Sequence, residues 1–186
     1  MHIRMIKRIM GVDASTSTIG ICIVTYDNKR NPKMELDHVE YYKPTKKGNI
    51  FERLSSVRKF IFEKIDELEP DEIALEEIVL FMQNKSTAKT ITSLASLNRT
   101  VGVAILDKTG SSPFMYNVMK IRHAIKDGQL PKKEDIPNRI EKILETKFPF
   151  VLNRDGKIAK ENYDMSDAVA CAICHIINNY IKKIKK

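Results

Sequence analysis

Nowhere in its 186 residues does the chain carry the run of roughly 18 or more apolar residues that a transmembrane helix needs. Residues 1–13 hold an apolar stretch too short and too broken by charge to be a secretory signal. A cytoplasmic location with no membrane partner is therefore expected. Cysteine is scarce too. Only Cys22, Cys171 and Cys174 occur, and an odd number without an export signal argues against a disulfide framework. The stretch Cys171–His175 matches the spacing of a redox pair and of a haem attachment site. It lies, however, in a nearly all-apolar helical segment, whereas a redox cysteine needs an exposed, electropositive helix start and haem attachment needs export. Cys171 and Cys174 therefore read as small core residues, and His175 as a structural histidine. No internal repeat or low-complexity linker divides the sequence, so residues 1–186 are expected to form one domain. Only residues 153–162 and the tail 182–186 look loose.

The composition, 42% hydrophobic and 30% charged, is that of a soluble globular protein. Lys and Arg number 32 against 24 Asp and Glu, a formal net charge of +8, which points toward a polyanionic partner. Residues 5–13 and 18–27 read as strands joined by a Ser/Thr-rich turn, and residues 33–44 alternate well enough for a third. Residues 50–70 follow as a helix, with Phe51, Leu54, Val57, Phe60, Ile61, Ile65 and Leu68 at helical spacing and Pro70 ending it. A fourth strand is expected over 71–80, a helix over 86–110, a fifth strand over 113–119, and helices over 133–148 and from Tyr163 onward. Helices alternating with the fourth and fifth strands imply parallel crossovers. The expected class is α/β: a mixed five-stranded sheet, an antiparallel meander plus two parallel strands, with helices on both faces.

Residues 11–24, GVDASTSTIGICIV, set one carboxylate, Asp13, between two runs that otherwise read as buried strands. An ionised carboxylate among apolar neighbours costs several kcal/mol unless it is paired. A metal ion, a basic side chain or backbone N–H groups of the following turn would each serve. In such a sheet ligands gather at the carboxyl ends of the strands, where Asp13 sits. Alternation in the fourth strand puts Ala74, Glu76 and Ile78 on one face and Leu75 and Glu77 on the other, so Glu76 can meet Asp13. Asp164 and Asp167, three residues apart, share one face at the start of the last helix. Capping of that helix is one explanation for them, but it leaves Asp13 and Glu76 unexplained. Four carboxylates beside apolar neighbours repel one another unless divalent cations lie between them, and hard oxygen ligands suit Mg²⁺ or Mn²⁺.

The strand-end Asp13 in MGVDASTSTIGICIV, Glu76 with the downstream 84–88 segment of ALEEIVLFMQNKSTAKT, and the Asp164-x-x-Asp167-Ala168 start of the last helix follow one another in a familiar order. In order and context they resemble the RuvC-type Holliday junction resolvases of the RNase H-like superfamily, over nearly the whole chain. The resemblance implies an RNase H-like fold, with Asp13, Glu76, Asp164 and Asp167 as the catalytic, metal-binding acids. It implies two Mg²⁺ ions per active site, Mn²⁺ substituting, and no small-molecule cofactor. The activity implied is nicking of branched DNA by two-metal phosphodiester hydrolysis, leaving 5′-phosphate and 3′-hydroxyl ends in DNA recombination and repair. A homodimer would supply the two symmetric cuts. Within the 86–106 helix, Ala88, Ile91, Leu94, Ala95 and Val101 are expected on the sheet, and Thr92 and Leu97 toward the partner.

The chain also departs from the family pattern. Ala14-Ser15-Thr16 follow Asp13 where the family usually has Pro or Gly and then another Gly, which marks a divergent, phage-like member. The aromatic that bacterial enzymes carry three residues after the catalytic Glu is Val79 here, with Phe81 nearby. For the basic residues that the family places near the scissile strand, the candidates are Lys120 or Arg122, and Lys132 or Lys133, with a solvated surface charge as the plainer reading of each. Two other classes remain: an ATP-binding lobe of the actin and Hsp70 type, suggested by the Asp13 turn, and a non-catalytic DNA-binding module.

Overall fold

A computed structural model describes residues 5–29, 32–45, 47–78 and 87–181. Strands β1 (Ile6–Ala14) and β2 (Ile19–Asp27) are buried on both sides, so their alternating side chains feed two cores instead of a core and a wet face. Both pair antiparallel, and β2 pairs antiparallel with β3 (Lys33–Tyr42). Strand β4 (Glu72–Glu77) runs parallel to β1, and β5 (Phe114–Asn117) parallel to β4, giving a five-stranded sheet of order β3-β2-β1-β4-β5. This is the mixed sheet expected from the sequence.

Two helices cover one face. Asn49 starts α1 (Ile50–Leu68) with a capping box to Glu52, and the helix stops where Glu69 turns left-handed (φ 45°), just ahead of Pro70. Thr87 caps α2 (Ala88–Thr109), which ends at Gly110. Their apolar sides pack on Met10, Val12, Ile21, Ile23 and Leu75. The opposite face, carrying Ile9, Cys22, Val24 and Ala74, is covered by α5 (Glu161–Ile176) with α3 (Val118–Ala124) and α4 (Ile136–Leu144). Cys22, Cys171 and Cys174 are buried thiols that form no disulfide among the described residues. No helix of the described residues is long and apolar enough to cross a membrane.

Four expectations need correction. The fifth strand ends at Asn117, whose side chain accepts the Lys120 N–H at 2.8 Å and starts α3, a helix the residue pattern does not announce. The helix expected over 133–148 is shorter: a 3₁₀ turn at Lys133–Asp135 precedes α4, and Glu145 (φ 51°) ends it. Leu97 is buried, because it shares one helical stripe with Val101, Ala104 and Ile105, so it does not face a partner; Ala88 is exposed and does not pack on the sheet. Residues 153–162 are ordered, with Leu152 and Ile158 bridged antiparallel ahead of α5. Val79, Phe81, residues 84–86 and the tail 182–186 lie outside the described residues.

Candidate metal centre

The close approach of α5 to the sheet is written in two glycines. A Cβ at Gly11 would fall 2.0 Å from Ala168 O, and one at Gly20 would fall 2.2 Å from Asp164 O. Only glycine lets the helix backbone lie directly on β1 and β2. Gly20 is also the cross-strand partner of Asp13. Consequently α5 brings Asp164 and Asp167 onto the carboxyl end of β1. One carboxylate oxygen each from Asp13, Asp164 and Asp167 lie within 4.8 Å of one another.

Glu76 joins them from β4, on the same face, and all four acids line a cleft of about 230 Å³ with Ser15, Leu94, Val118 and Lys133. Glu77 is exposed at the rim of the same cleft. Capping does not account for both helix acids. The N-cap of α5 is Lys160, with no side-chain cap, and although Asp164 lies in the first turn, where the helix dipole favours it, Asp167 lies a turn too far along.

Of the basic candidates, Lys133 enters the cleft, its Nζ 3.0 Å from Asp167 Oδ2 and 3.6 Å from Asp164 Oδ1. Arg122, whose Nη1 donates to Pro131 O at 3.3 Å, is close enough for its charge to act on Glu76 and Asp167. Lys120 instead holds its ammonium 4.8 Å from the centre of the Tyr116 ring, and Lys132 is exposed, with its N–H bonded to Asp135. Ser15 was not anticipated. Its hydroxyl lies 3.4 Å from Asp164 Oδ2 and donates to Thr18 O at 2.8 Å, fastening the β1–β2 turn beside the acids.

Burial followed by the charge of Glu76 and the two helix acids pushes Asp13 well above the usual carboxylate range. Glu76 is pushed up to about 8 by burial and then by Asp167, with Lys133 and Arg122 opposing. Burial likewise raises Asp164 and Asp167, and Lys133 opposes both shifts. Burial alone would lower Lys133, but Asp167, Asp13 and Asp164 outweigh it and hold the ammonium charged. Four crowded carboxylates with too little positive charge beside them form a hard-oxygen donor set suited to divalent cations.

The pattern of the family described as "Crossover junction endodeoxyribonuclease RuvC" matches residues 9–175. A crossover junction endodeoxyribonuclease RuvC of Finegoldia magna is 28% identical over 181 residues, covering 96% of this chain and 98% of the relative. Another from Ehrlichia ruminantium (strain Welgevonden) is 28% identical over 169 residues, covering 90% and 95%. In three dimensions the fold is similar to that of T. thermophilus RuvC in complex with Holliday junction substrate. The TM-score is 0.70 at 20% identity, with 95% of this chain and 96% of that one covered.

Proposed function

Because this chain belongs to the crossover junction endodeoxyribonuclease RuvC family, whose pattern spans residues 9–175, we propose that it is a metal-dependent endonuclease nicking branched DNA, four-way junctions above all. One domain, residues 1–186, carries the activity. The observation that supports this most strongly is the meeting of Asp13, Glu76, Asp164 and Asp167 in one cleft with Lys133 in contact. The Holliday junction bound to the T. thermophilus relative supports branched DNA as the partner. A nucleotide-binding lobe is not favoured, since the family match takes up nearly the whole chain. A non-catalytic DNA-binding module is disfavoured because metal-free acids repel phosphate.

Asp13, Asp164 and Asp167 would hold one divalent cation, and Asp13 with Glu76 would hold a second. Mg²⁺ is the ion proposed, with Mn²⁺ substituting. Bound ions supply Lewis acidity toward the scissile phosphate, the attacking water and the leaving oxygen. Lys133 offsets negative charge as it develops on the phosphate, and the charge of Arg122 opposes the rise of the Glu76 and Asp167 carboxyls. Water adds its oxygen to phosphorus, the bond to the 3′ oxygen breaks, and one water proton ends on that oxygen. The products are a 5′-phosphate and a 3′-hydroxyl.

Two symmetric cuts require two clefts related by a two-fold axis, so the working unit is a homodimer. Exposed Val103 and Leu106 on α2 border an apolar groove of about 260 Å³ with Gly102, Pro113 and Met115, and offer its surface. Sedimentation equilibrium at micromolar protein tests the dimer, which a strictly monomeric species would contradict. End-labelled linear, forked and four-way DNA incubated with and without Mg²⁺ tests the activity. Cleavage is expected only with the ion and best on the four-way form; no cleavage of any form contradicts the proposal.

A further inference from the structure

Immediately ahead of α5, residues 151–159 fold back on themselves. Asn153 N–H donates to Lys157 O at 2.8 Å and Ala159 N–H to Val151 O at 3.0 Å, and between these bonds Leu152 and Ile158 are antiparallel partners. The turn is self-tied. Asn153 Oδ1 accepts the N–H groups of Asp155 and Lys157, each at 2.9 Å, and Gly156 supplies the positive φ of 73° that the bend requires. Opposed residues of this kind place their side chains together on one face, with Cβ atoms about 5 Å apart. Yet Leu152 and Ile158 are 58% and 55% exposed.

Charge around the pair is mostly positive. Arg154, Lys157 and Lys160 are exposed and form no ion pair with another described residue, and Asp155 is the turn's one acid. The hairpin is fastened to the catalytic helix through the fully buried Asn162. Its Nδ2 donates to Val151 O and Ala159 O at 2.7 Å, and its Oδ1 accepts the Val151 N–H at 2.8 Å. Asn162 is two residues from Asp164, and Lys160 lies about 6 Å from Asp164 along the helix axis. A small, tied platform with an aliphatic pair and three exposed cations thus stands beside the cleft.

We propose that this hairpin is a DNA-contacting element of the site: Arg154, Lys157 and Lys160 meet backbone phosphates, and Leu152 and Ile158 lie against base faces uncovered at the branch point. The proposal rests on the nuclease reading above. Cations attract phosphate in any DNA, whereas aliphatic side chains gain a partner only where bases are unstacked. The two halves of the hairpin therefore separate experimentally.

Three full-length proteins are compared: wild type, Arg154→Ala/Lys157→Ala/Lys160→Ala, and Leu152→Ser/Ile158→Ser. Binding to a four-way junction and to a linear duplex is measured in EDTA over a range of salt, and cleavage in Mg²⁺. All the substituted side chains are exposed, so unfolding midpoints stay at the wild-type value. The triple variant is expected to weaken on both DNAs and to flatten the log–log salt dependence by about 0.9 per lost contact. The double variant is expected to lose roughly fivefold or more on the junction and nothing on the duplex. A triple variant with the wild-type salt slope overturns the phosphate contacts, and a double variant with wild-type junction affinity overturns the base contacts. A wild-type protein that neither binds nor cuts the junction rejects the nuclease reading instead.

Discussion

Glu72 and Glu76 stand on one strand, on the same face of the sheet, beneath the same helix, and their carboxylates behave in opposite ways. Glu72 receives His175 Nε2 at 2.6 Å and the Tyr180 hydroxyl, with Lys7 Nζ at 3.8 Å. Behind it, Tyr116 OH meets His175 Nδ1 at 2.9 Å and Asn179 donates to Tyr116 OH at 3.0 Å. Burial would raise Glu72, but the Tyr180 and His175 hydrogen bonds outweigh it and hold the carboxyl below its usual value. Glu76 meets Asp13, Asp164 and Asp167 instead, and is pushed up to about 8. Residue type, strand and face being equal, deeper burial at Glu76 and the different partners make the difference. One end of the α5 face uses a satisfied polar network for stability, whereas the other gathers repelling charge, as the proposed metal site requires.

The largest expected effect separates the two ends by activity. Asp13→Asn and Glu76→Gln should reduce junction cleavage below detection in Mg²⁺ while leaving junction binding equal or tighter, because a charge facing phosphate is gone. Glu72→Gln should still cut. Near wild-type cleavage by either acid variant would break the comparison. Next in size is Lys133→Ala, which should collapse turnover at saturating DNA, whereas Lys132→Ala should change only affinity and only slightly. Equal effects of the two would place Lys133 among ordinary phosphate contacts.

A smaller effect is a pH dependence of opposite sign at the two ends. Glu76 ionises near its ordinary 4.5 when unfolded and near 8 when folded. The folded, metal-free chain therefore binds the extra proton, and Glu76 removes stability as pH rises from about 4.5 to 8. Glu72 is lowered on folding, so its contribution is present above the ordinary carboxylate value and lost as pH falls through the lowered one. The rise in unfolding midpoint caused by Mg²⁺ should therefore be greater at pH 8 than at pH 5.5. Smallest of all is Glu77→Gln. It should alter cleavage by less than about twofold, within the range of ordinary surface changes.

The four acids were legible because each breaks a local rule, a carboxylate where the surrounding pattern is apolar, and such violations concentrate at functional sites. The sheet was legible because its strands and helices keep their own periods. What was hidden depended on short-range geometry. Lys120 and Arg122 are indistinguishable until Asn117 starts α3, the helix that carries both. Lys132 and Lys133 are adjacent, and only the 3₁₀ turn sends the second into the cleft. The hairpin ahead of α5 has the Asn, Asp and Gly of a loose loop, and its order comes from the side chains of Asn153 and Asn162. Gly11 and Gly20 were the unused signal, since glycine inside a doubly buried strand marks a close backbone approach.

The most direct test is the unfolding midpoint, at pH 8, of wild type, Glu76→Gln and Glu72→Gln, each with and without Mg²⁺. On the proposed reading the cleft carries charge for an ion at a cost in stability, so Glu76→Gln should melt above wild type without the ion and respond less to Mg²⁺. Glu72→Gln should melt lower, by an amount equivalent to about 1–3 kcal/mol, and keep the full Mg²⁺ response. A Glu76→Gln protein that melts below wild type without the ion, or that gains as much from Mg²⁺ as wild type does, would contradict the account.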